Sequence, residues 1–177
     1  MDFSVWSQAR VYRFRGDFGK GSRVGNPWRL WTGQDVRAMQ ALHRSTVPRL
    51  FQAIEPLSRK LAQGLAAYDP QGRLLAYADL VYGPTGIYLQ PLLDDAADYP
   101  ALVPDLVQAV PNRLGRPLYI GARSYQPQLS EALTSLPFSL EQELALLVRH
   151  LALKDKYPVL ERQPVYEGKK TGAACRS

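Results

Sequence analysis

The residues able to do chemistry are few, and their spacing excludes more than it assigns. His43 and His150 are the two histidines of the chain. Neither belongs to a His-x-x-x-His pair or has a cysteine partner, and a metal site needs several converging ligands, so no metal is expected. Ser45, Ser124 and Ser130 lie outside any Gly-x-Ser-x-Gly elbow, which leaves a serine hydrolase unsupported. Gly16, Gly19, Gly21 and Gly25, interspersed with Lys20 and Arg23, lack the spacing and the strand-to-helix setting of a phosphate loop. A flexible linker is the expectation there. The single cysteine, Cys175, can form neither an intramolecular disulfide nor a Cys-rich zinc site. A reducing, cytoplasmic setting is therefore expected.

Charge raises the question of nucleic acid, because the 177 residues carry a net +6. Its distribution argues against that partner. Residues 1–29 hold six Lys or Arg against two Asp, residues 154–177 hold six against three acids, and residues 30–153 hold ten against eleven. The basic excess belongs to the two ends, which read as solvated arms, and nucleic acid is not expected. The longest apolar run, residues 144–153, is interrupted by Arg149 and His150. Neither a membrane span nor a leader peptide is predicted.

The elements that must position any site follow from periodicity. Residues 4–14 alternate loosely and are rich in Val, Trp, Tyr and Phe, which predicts a strand; residues 28–31 predict a short second one. Val36, Met39 and Leu42, three apart, mark one side of a helix starting near Gln34, and Pro48 opens a second helix over residues 48–55. From Gly64 the period becomes two. Strands at 65–68, 74–82 and 87–93 are separated by the Asp69-Pro70-Gln71-Gly72 and Gly83-Pro84-Thr85-Gly86 turns, a three-strand antiparallel meander. A helix follows with Leu102, Val103, Leu106, Val107 and Val110 on its apolar side and Asp94, Asp95 and Asp98 near its start. Then come a strand at 118–122, a helix at 126–136 and a last strand at 140–151. Leu75, Tyr77, Leu80, Leu89, Leu118, Ile120, Leu146 and Val148 are the expected core.

This order of elements, with its local wording, resembles the GNAT superfamily of N-acyltransferases. Trp28-Arg29-Leu30-Trp31-Thr32-Gly33-Gln34-Asp35 is similar to the family's first strand and acidic helix start. Gly72-Arg73-Leu74-Leu75-Ala76-Tyr77-Ala78 resembles its third strand, and Leu136-Pro137-Phe138 stands where the family has Leu-Gly-Phe. The resemblance implies an α+β fold: a mixed, mostly antiparallel central sheet flanked by helices on both faces. It implies a domain at residues 27–153 and a basic tail at 154–177. Residues 1–26 would be an extra strand and linker. Asp2-Phe3-Ser4-Val5-Trp6 through Val11-Tyr12-Arg13 looks like the Gly-Phe strand that closes a GNAT domain, either an added strand or the remnant of an upstream domain.

The resemblance also implies a cosubstrate, acetyl-CoA or another acyl-CoA, with an amine as acceptor. The thioester would lie along Leu89, Gln90, Pro91, Leu92 and Leu93, where the family's fourth and fifth strands part. The amine would come between the first two helices and the meander. The family cradles pyrophosphate on a Gly-rich helix start, because backbone without Cβ admits phosphate closely. Here that stretch has no glycine and holds Asp94, Asp95 and Asp98. The family's thiolate-protonating Tyr falls at Leu133 and its usual Asn at Gln126. Asp79, the acid inside the meander, is the candidate base, or else an outward strand residue. Tyr125 is the candidate acid, with Tyr88 a further substitute, or else both are packing aromatics. Two readings stand: an N-acyltransferase with an altered cofactor site, and a non-catalytic GNAT-like module that binds a protein partner.

Overall fold

A computed structural model describes residues 4–16, 25–55, 57 and 63–148, except for the side chains of 4–6, 146 and 148. The Gly-rich segment at 17–24, His150 and the basic tail at 154–177 lie outside the described residues. Seven strands form one sheet: β1 (Ser4–Phe14), β2 (Trp28–Leu30), β3 (Gly64–Tyr68), β4 (Leu74–Tyr82), β5 (Ile87–Leu93), β6 (Leu118–Arg123) and β7 (Phe138–Val148). Their spatial order is β2-β3-β4-β5-β6-β1-β7. The pair β5 and β6 is parallel and every other pair antiparallel, so the sheet is mixed and mostly antiparallel as expected. The first strand in sequence lies between β6 and β7 and pairs with both.

Four helices cover the two faces: α1 (Val36–Thr46), α2 (Arg49–Gln52), α3 (Tyr99–Ala109) and α4 (Pro127–Ser135). Strand alternation divides the core. Leu65, Ala67, Ala76, Ala78, Ile87 and Leu89 meet the apolar sides of α3 and α4, while Ala66, Leu74, Tyr77 and Leu92 meet Met39 and Leu42 of α1. Burying each such Leu or Met side chain stabilises the fold by roughly 2 kcal/mol. Tyr77, Leu80, Leu89, Leu118 and Ile120 are buried as expected, and Leu75 is half-buried against the α3 side. The side chains of Leu146 and Val148 lie outside the described set.

The second helix is shorter than its sequence pattern. Pro48 is its N-cap, and after Gln52 the Ile54 N–H turns to the Phe51 carbonyl three residues back, the tighter bond of a 3₁₀ turn, while the Glu55 N–H shares the same oxygen. That tightening brings Glu55 back beneath α1, where His43 Nε2 lies 3.0 Å from the Glu55 carbonyl oxygen.

The start of α1 is fixed by a charge cluster. Asp35 is 4% exposed. Its carboxylate accepts two bonds from the Arg29 guanidinium at 2.9 and 2.6 Å, one from the Thr32 N–H, and one from the Tyr68 hydroxyl. The Arg29 bonds, opposed by burial, hold this carboxyl well below the usual carboxylate range. Burial and the bond to Asp35 push the Tyr68 hydroxyl up to about 12.

Candidate functional site

The parallel ladder between β5 and β6 is short. It pairs Ile87 with Leu118, Tyr88 with Tyr119 and Leu89 with Ile120, and then stops, although both strands continue. The sequence supplies a reason. Asp94 gives its N–H to Leu75 on β4, so residues 91 and 93 turn their backbone groups to the β6 side. Pro91 has no N–H to offer there, and the ladder loses its next rung. Beyond Leu89 the two strands part, and the β6-facing edge of residues 91–93 is left without a strand partner.

Beside this parting, on the α1 side of the sheet, lies a cavity of about 380 Å³. Alternation on β4 points Tyr77 and Asp79 into it, and their cross-strand partners Leu92 and Gln90 line it too. Pro91 completes that wall, while His43, Val47, Ile54, Glu55 and Leu57 form the opposite one, between the helices and the meander. Arg123 and Tyr125, from the end of β6, form the third side.

Among the polar groups, Glu55, Arg123 and Tyr125 are joined to one another, and Asp79 stands apart from them. Arg123 Nε lies 3.0 Å from Glu55 Oε2, and the Tyr125 hydroxyl donates to the same oxygen at 3.2 Å. The Tyr125 ring stacks on Phe51 with centroids 5.5 Å apart. Burial, then the neighbouring Glu55 charge, raises the Tyr125 hydroxyl above its ordinary range. Asp79 Oδ1 is buried with no hydrogen-bond partner among the described residues, and so is Glu55 Oε1. Burial pushes the Asp79 carboxyl up to about 6, since a charge removed from water without a counter-charge is disfavoured. The lining holds two carboxylates, Asp79 and Glu55, against one guanidinium, Arg123. An ionised Asp79 therefore leaves the cavity one negative charge in excess, which matches a monocationic ligand.

Five of the seven site residues expected from sequence surround this one cavity: Asp79, Tyr125, Gln90, Pro91 and Leu92. Leu89 and Leu93 do not; their side chains are fully buried on the α3 side. Leu89 sits on the last rung, between Leu80 and Ile120, before the strands part. Tyr88 gives its hydroxyl to Gln90 Oε1 at 2.7 Å. Leu133, where a tyrosine was sought, is fully buried core. Glu55, Arg123, His43 and Tyr77 escaped sequence reasoning. For Tyr77 the signal was available, since it stands two residues from Asp79 and shares its face.

The acidic stretch before α3 is occupied by its own contacts. Asp98 is the N-cap of α3 and accepts from the Ala101 N–H at 3.2 Å. Asp94 accepts from Arg73 at 2.6 Å and from the Ala96 N–H at 3.0 Å. Burial works to raise the Asp94 carboxyl, but those two bonds outweigh it and hold it below its ordinary value. Among the described residues, no three of His, Cys, Asp or Glu converge as a metal site would need, and no helix is long and apolar enough to cross a membrane.

No family model matches the sequence, and no curated protein does. Solved structures do match. A GNAT-family protein from Novosphingobium aromaticivorans, described as an acetyltransferase on assignment, superposes with a TM-score of 0.57 at 17% identity over 82% of this chain and 66% of that one. A functionally unknown conserved protein from Staphylococcus epidermidis gives 0.59 at 9% identity over 80% and 60%. A GCN5-related N-acetyltransferase from Sphaerobacter thermophilus gives 0.53 at 11% identity over 82% and 52%. The chain thus spans about half to two thirds of these structures' lengths. At such identities the likeness is one of fold alone: this chain shares the fold of those GNAT-family structures.

Proposed function

We propose that the protein transfers an acyl group from acyl-CoA to an amine. The observation that carries this reading is the convergence of a half-buried carboxylate, Asp79, whose Oδ1 has no hydrogen-bond partner among the described residues, with the parted edge of β5 at one cavity. The thioester lies along residues 90–93, where backbone groups that β6 no longer reaches can hold an extended chain. The acceptor occupies the cavity, whose excess negative charge favours an ammonium. Asp79, ionised above about pH 6, takes a proton from that ammonium. The freed nitrogen lone pair attacks the thioester carbonyl carbon, and the tetrahedral intermediate collapses with cleavage of the C–S bond. The departing sulfur carries away the electron pair and takes a proton from the Tyr125 hydroxyl, which Asp79 or solvent restores. Direct displacement needs orientation and one base more than a covalent residue.

The pantetheine arm fits these residues better than the pyrophosphate does. Asp98 already caps α3 and Asp94 and Asp95 stand beside it, so the helix start offers an anion more repulsion than donors. The same observation favours a second reading, a non-catalytic GNAT-like module that keeps the fold for a protein partner. Calorimetric titration with acetyl-CoA and CoA, followed by turnover against a panel of primary amines, separates the two. Binding with acyl transfer that is lost in Asp79→Asn supports the enzyme, whereas absence of both binding and transfer leaves the binding module.

A further inference from the structure

The edge of β5 freed by the departure of β6 is already engaged from within the chain. Gln126 stands between β6 and α4 as the helix N-cap and is 1% exposed. In the orientation that suits both of its amide atoms, Nε2 donates to the Pro91 carbonyl at 3.2 Å and Oε1 accepts from the Leu93 N–H at 3.3 Å. One donor and one acceptor, set against backbone groups two residues apart, are what one residue of an adjacent parallel strand would present through its own N–H and C=O. The primary amide of glutamine, with an N–H and its oxygen on the same side, thus takes the place of a strand residue. The gap is also bridged at its narrow end. The Tyr88 hydroxyl donates to Gln90 Oε1 at 2.7 Å, and Gln90 Nε2 reaches the Gly121 carbonyl at 3.4 Å. A Cβ at Gly121 would overlap the Tyr88 hydroxyl oxygen, so only glycine permits that bridge.

We propose that Gln126 is an internal stand-in for a ligand amide, and that it thereby selects which ligands enter the parted strands. To displace it, a ligand has to offer its own acceptor to the Leu93 N–H and its own donor to the Pro91 carbonyl. Two successive amides in an extended chain do both, the N–H of one and the C=O of the next facing the same edge, as in the pantetheine arm. A simple alkyl thioester does neither and would leave two buried backbone groups unpaired. The proposal rests on the acyl-CoA reading and adds a gate to the same cleft. Because two ordinary hydrogen bonds must break before a ligand amide can form them, removing the gate tightens binding by about tenfold.

The test compares wild type with Gln126→Ala and Gln126→Asn, the second keeping an amide too short to span both groups. Pantetheine, acetyl-CoA and S-ethyl thioacetate are titrated by calorimetry, and hydrogen exchange at the Leu93 N–H is followed by NMR. In wild type the Leu93 N–H is protected, and saturating pantetheine frees the Gln126 side-chain amide protons to exchange while Leu93 stays protected. That last observation needs no variant. In Gln126→Ala the Leu93 N–H exchanges faster and pantetheine binds about tenfold tighter, while the alkyl thioester gains nothing. Equal affinities for wild type and variant would overturn the gate and leave the acyl-CoA reading standing. Weaker binding by the variant would make Gln126 a ligand contact and overturn the gate in the same way. Failure of every variant to bind pantetheine, with the Leu93 N–H shown to be open, would overturn both.

Discussion

Asp79 on β4 and Gln90 on β5 are directly opposite one another in the antiparallel ladder, so the half-buried carboxylate stands one strand away from the edge where β5 and β6 part. The geometry comes from two ordinary features of the sequence, strand alternation on β4 and a proline in β5.

The pH dependence follows from Asp79. Its folded carboxyl titrates near 6, above the ordinary carboxyl value of about 3.9. The folded state therefore holds the proton more tightly, and stability contributed below about pH 4 is lost as the pH rises through 6. Asp79→Asn should be more stable than wild type by about 3 kcal/mol at pH 8 and equal to it near pH 4. Urea denaturation at the two pH values measures this. Turnover runs the opposite way: kcat/KM rises with pH through 6 in wild type, and the substitution lowers it by about a thousandfold.

Tyr125→Phe keeps the stacking on Phe51 and loses the hydroxyl bonded to Glu55. If the hydroxyl protonates the leaving sulfur, kcat falls by about a hundredfold with KM little changed. Replacing the thioester by one whose thiol is more acidic should restore part of the loss. A purely structural hydroxyl would give no such rescue.

The acids before α3 should act separately. Asp98→Ala removes the N-cap bond to Ala101 and costs about 1 kcal/mol of stability. Asp95→Ala touches neither the cap nor the Arg73 pair and should tighten acetyl-CoA about threefold by removing one repulsive charge near the helix start. Affinity for pantetheine, which lacks the pyrophosphate, should not change. Parallel calorimetric titrations of the two ligands make the comparison.

At the far end of the sheet, Asp35→Asn breaks the carboxylate that Arg29, Thr32 and Tyr68 share. A loss of about 2 kcal/mol is expected, because Arg29 keeps half its surface in water and the pair is only partly buried. The Asp35 carboxyl is held below its ordinary value, so this stabilisation is present above about pH 4 and disappears as the pH falls below it. Urea midpoints between pH 3 and 7 would show the slope in wild type and its absence in the variant.

Much of the fold was legible because its signals are local. Leu65 to Leu93 alternates with period two between Pro-Gly turns, and Leu102, Val103, Leu106 and Val107 repeat at helical spacing. Pro91 removes a donor from an inner strand, but it marks a break in the ladder only once the strand order is known. Other relationships have no local signal. The insertion of β1 between β6 and β7 is a pairing between opposite ends of the described chain. The Glu55–Arg123 pair likewise joins the turn after α2 to the end of β6. Gln126 shows the limit most clearly. Its type and position could be read beforehand, but its amide bonds depend on two strands having already parted.

The most direct measurement is an NMR titration of the backbone amides with acetyl-CoA. The account predicts that Gln90, Leu92 and Leu93 shift together and saturate with one affinity, and that Tyr77 and Asp79 across the ladder follow more weakly, while the β2 amides at the sheet's far edge stay in place. Saturable shifts confined to another surface, with residues 90–93 unmoved, would contradict it.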